Sequence, residues 1–221
     1  MMAVDHGVAP AVAGAGTRRR VLPYGDHAVL VECENTAEAV ALSQLIDEQA
    51  DEVIETVPGA RTVLVRCAGP VHDQLTDRLR TLAVDASELA PTRTIEIEVS
   101  YDGPDLAEVA ELCGLEVEGV IAAHTSQVWR VAFCGFAPGF AYLQGHDERL
   151  TVPRRSSPRP EVPPGSVALA DTWSAVYPRR APGGWQLIGT TSAAMWDSTR
   201  TPPALLAPGM AIRFIDLGVR P

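Results

Sequence analysis

Phe133-Cys134-Gly135-Phe136-Ala137-Pro138-Gly139-Phe140-Ala141-Tyr142-Leu143 decides how this chain is read. Just before it, Val128-Trp129-Arg130-Val131-Ala132-Phe133 alternates large apolar residues with others, the period of a half-buried strand. Pro138-Gly139 then breaks the strand, because proline fixes φ and glycine tolerates φ > 0. A strand ending in a Gly/Pro turn ringed by aromatics can build the wall and lip of a pocket. The plainer reading is a tight turn whose aromatics cap a barrel.

Downstream of Val128 helical periodicity disappears and Pro and Gly become dense. Short apolar runs recur at Ser166–Leu169, Ala175–Tyr177, Trp185–Ile188 and Met210–Phe214. Many short strands with Gly/Pro turns predict a barrel or sandwich. Upstream the pattern is mixed. Val21–Cys33 reads as two short strands around Tyr24-Gly25-Asp26. Asn35 and Glu38 form a capping-box pattern ahead of a helix with Ala39, Leu42, Leu45 and Ile46 on one face. Val53–Val57 and Thr62–Arg66 flank Pro58-Gly59 as a hairpin, and Val71, Leu75, Leu79 and Leu82 stripe a second helix. Ile95, Ile97, Val99 and Tyr101 alternate with polar residues as a strand with one wet face. Asp105 and Glu108 repeat the box pattern before a third helix. In a fourth, Val117, Val120, Ile121 and His124 share a face. The expectation is an α+β chain: a disordered tail at 1–17, a small ferredoxin-like α/β sandwich at 18–92 and a β-barrel domain at 93–221, with the boundary near Ala90-Pro91-Thr92.

The chain has 221 residues and a formal net charge of -10, which argues against broad binding of nucleic acid or anionic membrane. Its hydrophobic content of 46% suits a soluble globular protein, and no apolar run approaches a membrane span. All 18 Lys+Arg residues are arginine. There is therefore no Schiff-base lysine, no Walker-A lysine and no lysine to carry biotin. Cys33, Cys67, Cys113 and Cys134 are far apart and form no C-x-x-C pair, so no metal ligand set is expected. Four free thiols fit a reducing cytoplasm, and a secreted protein with two disulfides is the alternative. The basic run Arg18-Arg19-Arg20 follows the apolar start, the reverse of a signal peptide.

Three features suggest chemistry. His124, on the apolar stripe of the fourth helix, is either a core histidine or an acid/base facing a pocket made with the Phe136–Tyr142 turn. Arg154, Arg155 and Arg159 lie on a proline-stiffened loop, where guanidinium forks suit a carboxylate or phosphate. The plainer reading is a solvated loop paired with surface acids. Gly183-Gly184 precedes Trp185-Gln186, so backbone N–H groups can approach a ligand and Gln186 can present its amide. A bulged hairpin is the commoner use of such a pair.

Five motifs in order now matter together: Gly135-Phe136-x-Pro-Gly-Phe-Ala-Tyr-Leu143, Pro153-Arg154-Arg155 with Pro158-Arg159, Val162-Pro163-x-Gly-Ser-Val167, Tyr177-Pro178, and Pro182-Gly-Gly-Trp-Gln-Leu-Ile-Gly189. With them the chain resembles the family of the B-type subunit of bacterial ATP-dependent 5-oxoprolinase. That family includes the Kip-type inhibitor of a sporulation histidine kinase and proteins labelled allophanate hydrolase subunit 1. The resemblance implies a cyclophilin-like barrel at 93–221, a C-type partner protein, an A-type subunit and ATP at the level of the complex. The implied reaction opens the small lactam 5-oxoproline to glutamate. The residues assigned to it are His124, Arg154, Arg159 and Gln186 for chemistry, and Phe136, Pro138, Gly139, Phe140, Tyr142, Gly183 and Gly184 for the substrate. Kinase inhibition, carboxyl transfer with a separate biotin carrier, and scaffolding of a partner are the alternatives. Two departures stand out. Ser174-Ala175-Val176 replaces Thr-Gly-Ile, and Thr190-Thr191-Ser192 replaces Arg-Thr-Pro.

Overall fold

The computed structural model describes residues 18–49, 51–85 and 91–218. The expected tail at 1–17 and Ala90 of the expected boundary lie outside them.

The first unit runs β1 (Val21–Pro23), β2 (Ala28–Glu32), α1 (Thr36–Gln49), β3 (Val53–Pro58), β4 (Thr62–Cys67) and α2 (Asp73–Thr81). Its antiparallel sheet has the order β1-β2-β4-β3. Val29, Val31, Val63 and Val65 meet Leu42, Ile46, Leu75 and Leu79 in one core cluster. Asn35 holds the start of α1: its Oδ1 accepts from Glu38 N–H at 3.0 Å. Glu38 Oε2 in turn accepts from Glu34 N–H at 2.6 Å. At α2 the cap is His72, whose Nδ1 accepts from Leu75 N–H at 3.1 Å.

A ferredoxin-like sheet would take the strand after α2 as its edge beside β2. Here β1 fills that edge through the local turn at Gly25, where φ is +70°. The strand after α2, β5 (Thr94–Val99), leaves for the second sheet. It pairs in parallel with β13 (Ala211–Asp216) along its whole length.

The second unit continues with α3 (Leu106–Cys113), α4 (Val117–Thr125), β6 (Trp129–Cys134), β7 (Ala141–Gln144), β8 (Arg159–Val162), β9 (Ser166–Ala170), β10 (Trp173–Val176), β11 (Ala181–Gly183) and β12 (Gln186–Thr190). Seven strands form one sheet, β12-β9-β10-β7-β6-β13-β5. Its two ends meet where Ser100 and Thr190 exchange backbone hydrogen bonds of 2.9 and 2.8 Å, so the barrel is nearly closed. All seven strands send side chains into a shared interior cluster, which α4 joins through Val120 and Ile121.

Alternation puts two cores on the two faces of the β7, β9, β10 and β12 wall. Leu143, Val167, Leu169, Val176 and Ile188 point into the barrel. Phe140, Ala168, Ala170, Ala175 and Leu187 point outward, with Val162 and Ala181 of the β8–β11 ribbon packed over them. The arginine-rich segment is thus only partly a loop, since Arg159 opens β8.

Asp105 departs from its expected role. It occupies the N-cap position of α3, but its side chain makes no cap hydrogen bond, because distant partners take it.

Candidate functional site

The turn between β6 and β7 is held by Gly135 N–H to Phe140 O at 3.2 Å and Phe140 N–H to Ala137 O at 2.9 Å. Gly139 has φ +82°, and a Cβ there would lie 2.9 Å from Trp196 Cβ and 3.0 Å from Met195 O. The turn therefore needs glycine both for conformation and for close approach. Phe136 adopts φ +65°, a left-handed conformation costly for a bulky side chain. It is also 58% exposed, so its ring forms a lip rather than core.

Behind that lip Phe140 is buried, with ring centroids of Phe136, Tyr177, Trp185 and Tyr142 at 5.1, 5.3, 5.7 and 5.2 Å, all edge-on. Gly183 fits against Tyr177 because a Cβ would collide with the phenol oxygen. Together with Arg154, Pro182 and Gly184 these residues line a cleft of about 80 Å³ on the outer face of the barrel wall. The Arg154 guanidinium carbon lies 5.9 Å from the Trp185 ring centroid, a cation–π distance. Burial pushes the Tyr177 hydroxyl above its ordinary pKa, with Arg154 pulling the other way. Tyr177 thus stays a neutral phenol at pH 7. The cleft offers flat apolar faces, a hydroxyl, glycine backbone and one cation, which suits a small planar anion.

Arg155 and Arg159 point elsewhere. Arg155 Nη1 donates to Asp105 Oδ1 at 2.8 Å and Arg159 Nη2 to the same oxygen at 2.6 Å. Asp105 Oδ2 accepts from Leu187 N–H at 2.7 Å. Gln186 is buried beside them, its Nε2 3.5 Å from Pro153 O. Among the described residues, three buried side-chain atoms have no hydrogen-bond partner: Arg155 Nε, Arg159 Nη1 and Gln186 Oε1.

His124 is not part of the cleft, which corrects the expectation of an acid/base facing the aromatic turn. It is fully buried inside the barrel, with Nδ1 2.7 Å from Tyr101 Oη and Nε2 3.0 Å from Ser174 Oγ. Its ring stacks on Phe214 at 4.4 Å. Burial lowers its pKa to about 3, so the imidazole is neutral. Ser174 pairs with Leu143 across the wall, and its neighbour Ala175 faces the outer core. The wall itself therefore separates His124 from the cleft.

Of the expected site residues, the structure brings together Arg154, Phe136, Phe140, Tyr142, Gly183 and Gly184. Pro138 and Gly139 belong to the turn and do not line the cleft, and Arg159 and Gln186 belong to the Asp105 cluster. Tyr177 and Trp185 complete the cleft, although motif reading gave them no role. Their signal was only that each flanks a Pro or Gly beside an apolar run. The departures fall outside the cleft: Ser174 keeps the hydroxyl that meets His124, and Thr190 lies at the barrel seam.

Two other hollows lack this aromatic lining. One of about 590 Å³ lies at the β1–β2 turn beside Asp26, His27 and Arg80. One of about 350 Å³ lies beside Glu96, Glu98 and Ile215. Among the described residues no group of three His, Cys, Asp or Glu is placed to hold a metal ion. No described helix is long and apolar enough to cross a membrane.

A mixed α/β chain with a nearly closed barrel and a small cleft on its wall matches a defined class. Residues 19–206 match the model of the carboxyltransferase domain, subdomains C and D, and the chain belongs to that family. More particularly, it is 40% identical over 209 residues to the B-type subunit of 5-oxoprolinase from Escherichia coli O157:H7, covering 90% of this chain and 96% of the relative. It is also 43% identical over 150 residues to the B-type subunit of 5-oxoprolinase from Bacillus subtilis (strain 168), covering 66% of this chain and 62% of that one. Its place is with these B-type 5-oxoprolinase subunits. Among solved structures, TTHA0988 is similar with a TM-score of 0.73 and 32% identity, over 86% of this chain. The chain spans only 39% of that protein's length. The Kluyveromyces lactis urea carboxylase shares the fold, with a TM-score of 0.69 and 18% identity, over 96% of this chain and 23% of that one.

Proposed function

We propose that this chain is the B-type subunit of a heteromeric, cytoplasmic 5-oxoprolinase, working with a C-type and an A-type subunit to open 5-oxoproline to L-glutamate with ATP. The carrying observation is the 40% identity to a B-type 5-oxoprolinase subunit over 96% of that relative's length. In this reading residues 18–92 form a variant of the ferredoxin-like sandwich and residues 93–221 a cyclophilin-like barrel.

A lactam is a poor electrophile. Transfer of the γ-phosphoryl group of ATP to the lactam oxygen releases ADP and makes the ring carbon attackable. Water adds there, and the carbon–nitrogen bond breaks as the nitrogen takes up a proton, which leaves an acyl phosphate. A second water hydrolyses that acyl phosphate to glutamate and phosphate. In this chain Arg154 is suited to the substrate carboxylate. Phe136, Phe140 and Tyr142 flank the ring and keep bulk water from it. The Tyr177 hydroxyl and the backbone at Gly183-Gly184 orient the polar edge. Arg159 and Gln186 act behind the cleft.

The test is co-purification with the C-type protein, then assay of 5-oxoproline-dependent ATP hydrolysis after adding the A-type protein. Stimulation well above each protein alone is expected. The carboxyltransferase description of the matching family favours one other reading, carboxyl transfer. No stimulation by 5-oxoproline, together with carboxylation of a urea-type substrate by a biotinylated carrier, would put that reading first.

A further inference from the structure

Asp105 begins a helix without capping it. Its position is fixed by both backbone groups of one residue: Asp105 N–H donates to Leu187 O at 3.0 Å, while Leu187 N–H donates to Asp105 Oδ2 at 2.7 Å. Gly103, two residues earlier, lies directly on the β12 backbone at Leu187 and Ile188, where a Cβ would collide. A carboxylate so anchored cannot follow the arginines; they must come to it. Arg155 and Arg159 both do, and Arg155 N–H adds a backbone hydrogen bond to Gly184 O at 2.8 Å.

Arg154 immediately precedes these anchors in the same segment. It makes no ion pair among the described residues and reaches over Trp185 into the cleft. The other two arginines are kept even at the cost of burying two guanidinium nitrogens without partners. Such a cost in a buried polar cluster marks a constraint other than stability.

We infer that Asp105 is a positioning and specificity residue: by holding Arg155 and Arg159 behind the cleft it leaves one guanidinium, Arg154, at the ligand, so the site selects a monoanion over a dianion. The kinetic half of this inference rests on the 5-oxoprolinase reading; the structural half does not.

The test uses Asp105→Asn, which keeps an oxygen for Leu187 N–H but removes the charge, with Arg154→Ala and the double variant. In the reconstituted complex, Asp105→Asn should raise KM for 5-oxoproline about tenfold, with kcat within about twofold. It should also strengthen inhibition by a small dicarboxylate, because Arg159, no longer held by a carboxylate, becomes free to reach the cleft, while Arg155 keeps its ion pair with Glu108 at 3.6 Å. In the Arg154→Ala background the further effect of Asp105→Asn on KM should vanish, whereas a residue serving only stability would act additively. For the isolated full chain, the Trp185 indole N–H resonance, assigned with Trp185→Phe, should move in the same direction in Asp105→Asn as in Arg154→Ala. An unmoved resonance in a folded Asp105→Asn protein overturns the inference whatever the activity. So does a KM effect that persists in full without Arg154. If the resonance moves but no complex hydrolyses 5-oxoproline, the positioning stands and the substrate reading falls.

Discussion

Replacing His124 should change how stability depends on pH. In the folded chain its pKa is lowered to about 3 by burial, whereas an unfolded histidine titrates near 6.5. Below pH 6.5 the unfolded chain therefore binds a proton that the native imidazole refuses. The contribution is fully present above pH 6.5 and is lost as pH falls toward about 3. Linkage puts the loss between pH 7.5 and pH 5 at about 2 kcal/mol from this one group. That is a large share of the ~5–15 kcal/mol typical of a domain. His124→Gln should be less stable than the parent at pH 7.5, by roughly 1–3 kcal/mol, because Tyr101 and Ser174 lose well-placed partners. It should nonetheless lose about 2 kcal/mol less on going to pH 5. Urea denaturation of both proteins at the two pH values, followed by circular dichroism, measures the difference. The carboxylates are common to both proteins and cancel. Equal losses in parent and variant would mean that His124 is not held neutral inside the barrel.

Gly183→Ala should force the Tyr177 ring aside, costing about 1–3 kcal/mol and at least tenfold in kcat/KM for 5-oxoproline, read by chemical denaturation and steady-state assay of the complex. Phe136→Gly removes left-handed strain but also the ring contacts to Phe140 and Tyr177. Its stability should stay within about 1 kcal/mol of the parent while KM rises severalfold, and an unchanged KM would take this ring out of the site. Burial and the nearby Glu38 raise the Cys33 thiol to about 11. At pH 8 a thiol-specific disulfide reagent should therefore label the half-buried Cys113 and Cys134 first, and Cys33 only on unfolding.

Local patterns carried most of the elements. The capping pair at Asn35 and Glu38, the hairpin at Pro58-Gly59 and the strand–turn–strand at Trp129–Gln144 all follow from near neighbours. What escaped was set by residues far along the chain. Asp105 and Glu108 spell a capping box, yet partners 50, 54 and 82 residues away took the carboxylate. His124 has one spacing whether its face meets a pocket or a core. The outcome was decided by Tyr101 and by Ser174, 50 residues on. Ser166–Ala170 shows no period because both faces of β9 are covered, leaving all five residues buried. The alternation at Thr94–Val99 announced a strand but not its sheet, since its ladder partner is the last strand described.

That last pairing has a cost during synthesis. The Ile95–Val99 segment leaves the ribosome more than a hundred residues ahead of the Ala211–Asp216 segment that completes its hydrogen bonding. Through that interval the nascent barrel lacks the strand between β6 and β5, and its apolar lining stays open. Contacts so distant in sequence form slowly, and unpaired strand edges are where growing chains clump. The first unit, whose ladders join neighbours within residues 21–67, has no such wait. Translation speed over the final stretch, and holdase chaperones at the exit tunnel, should therefore govern the yield of soluble protein more than the composition of either core does.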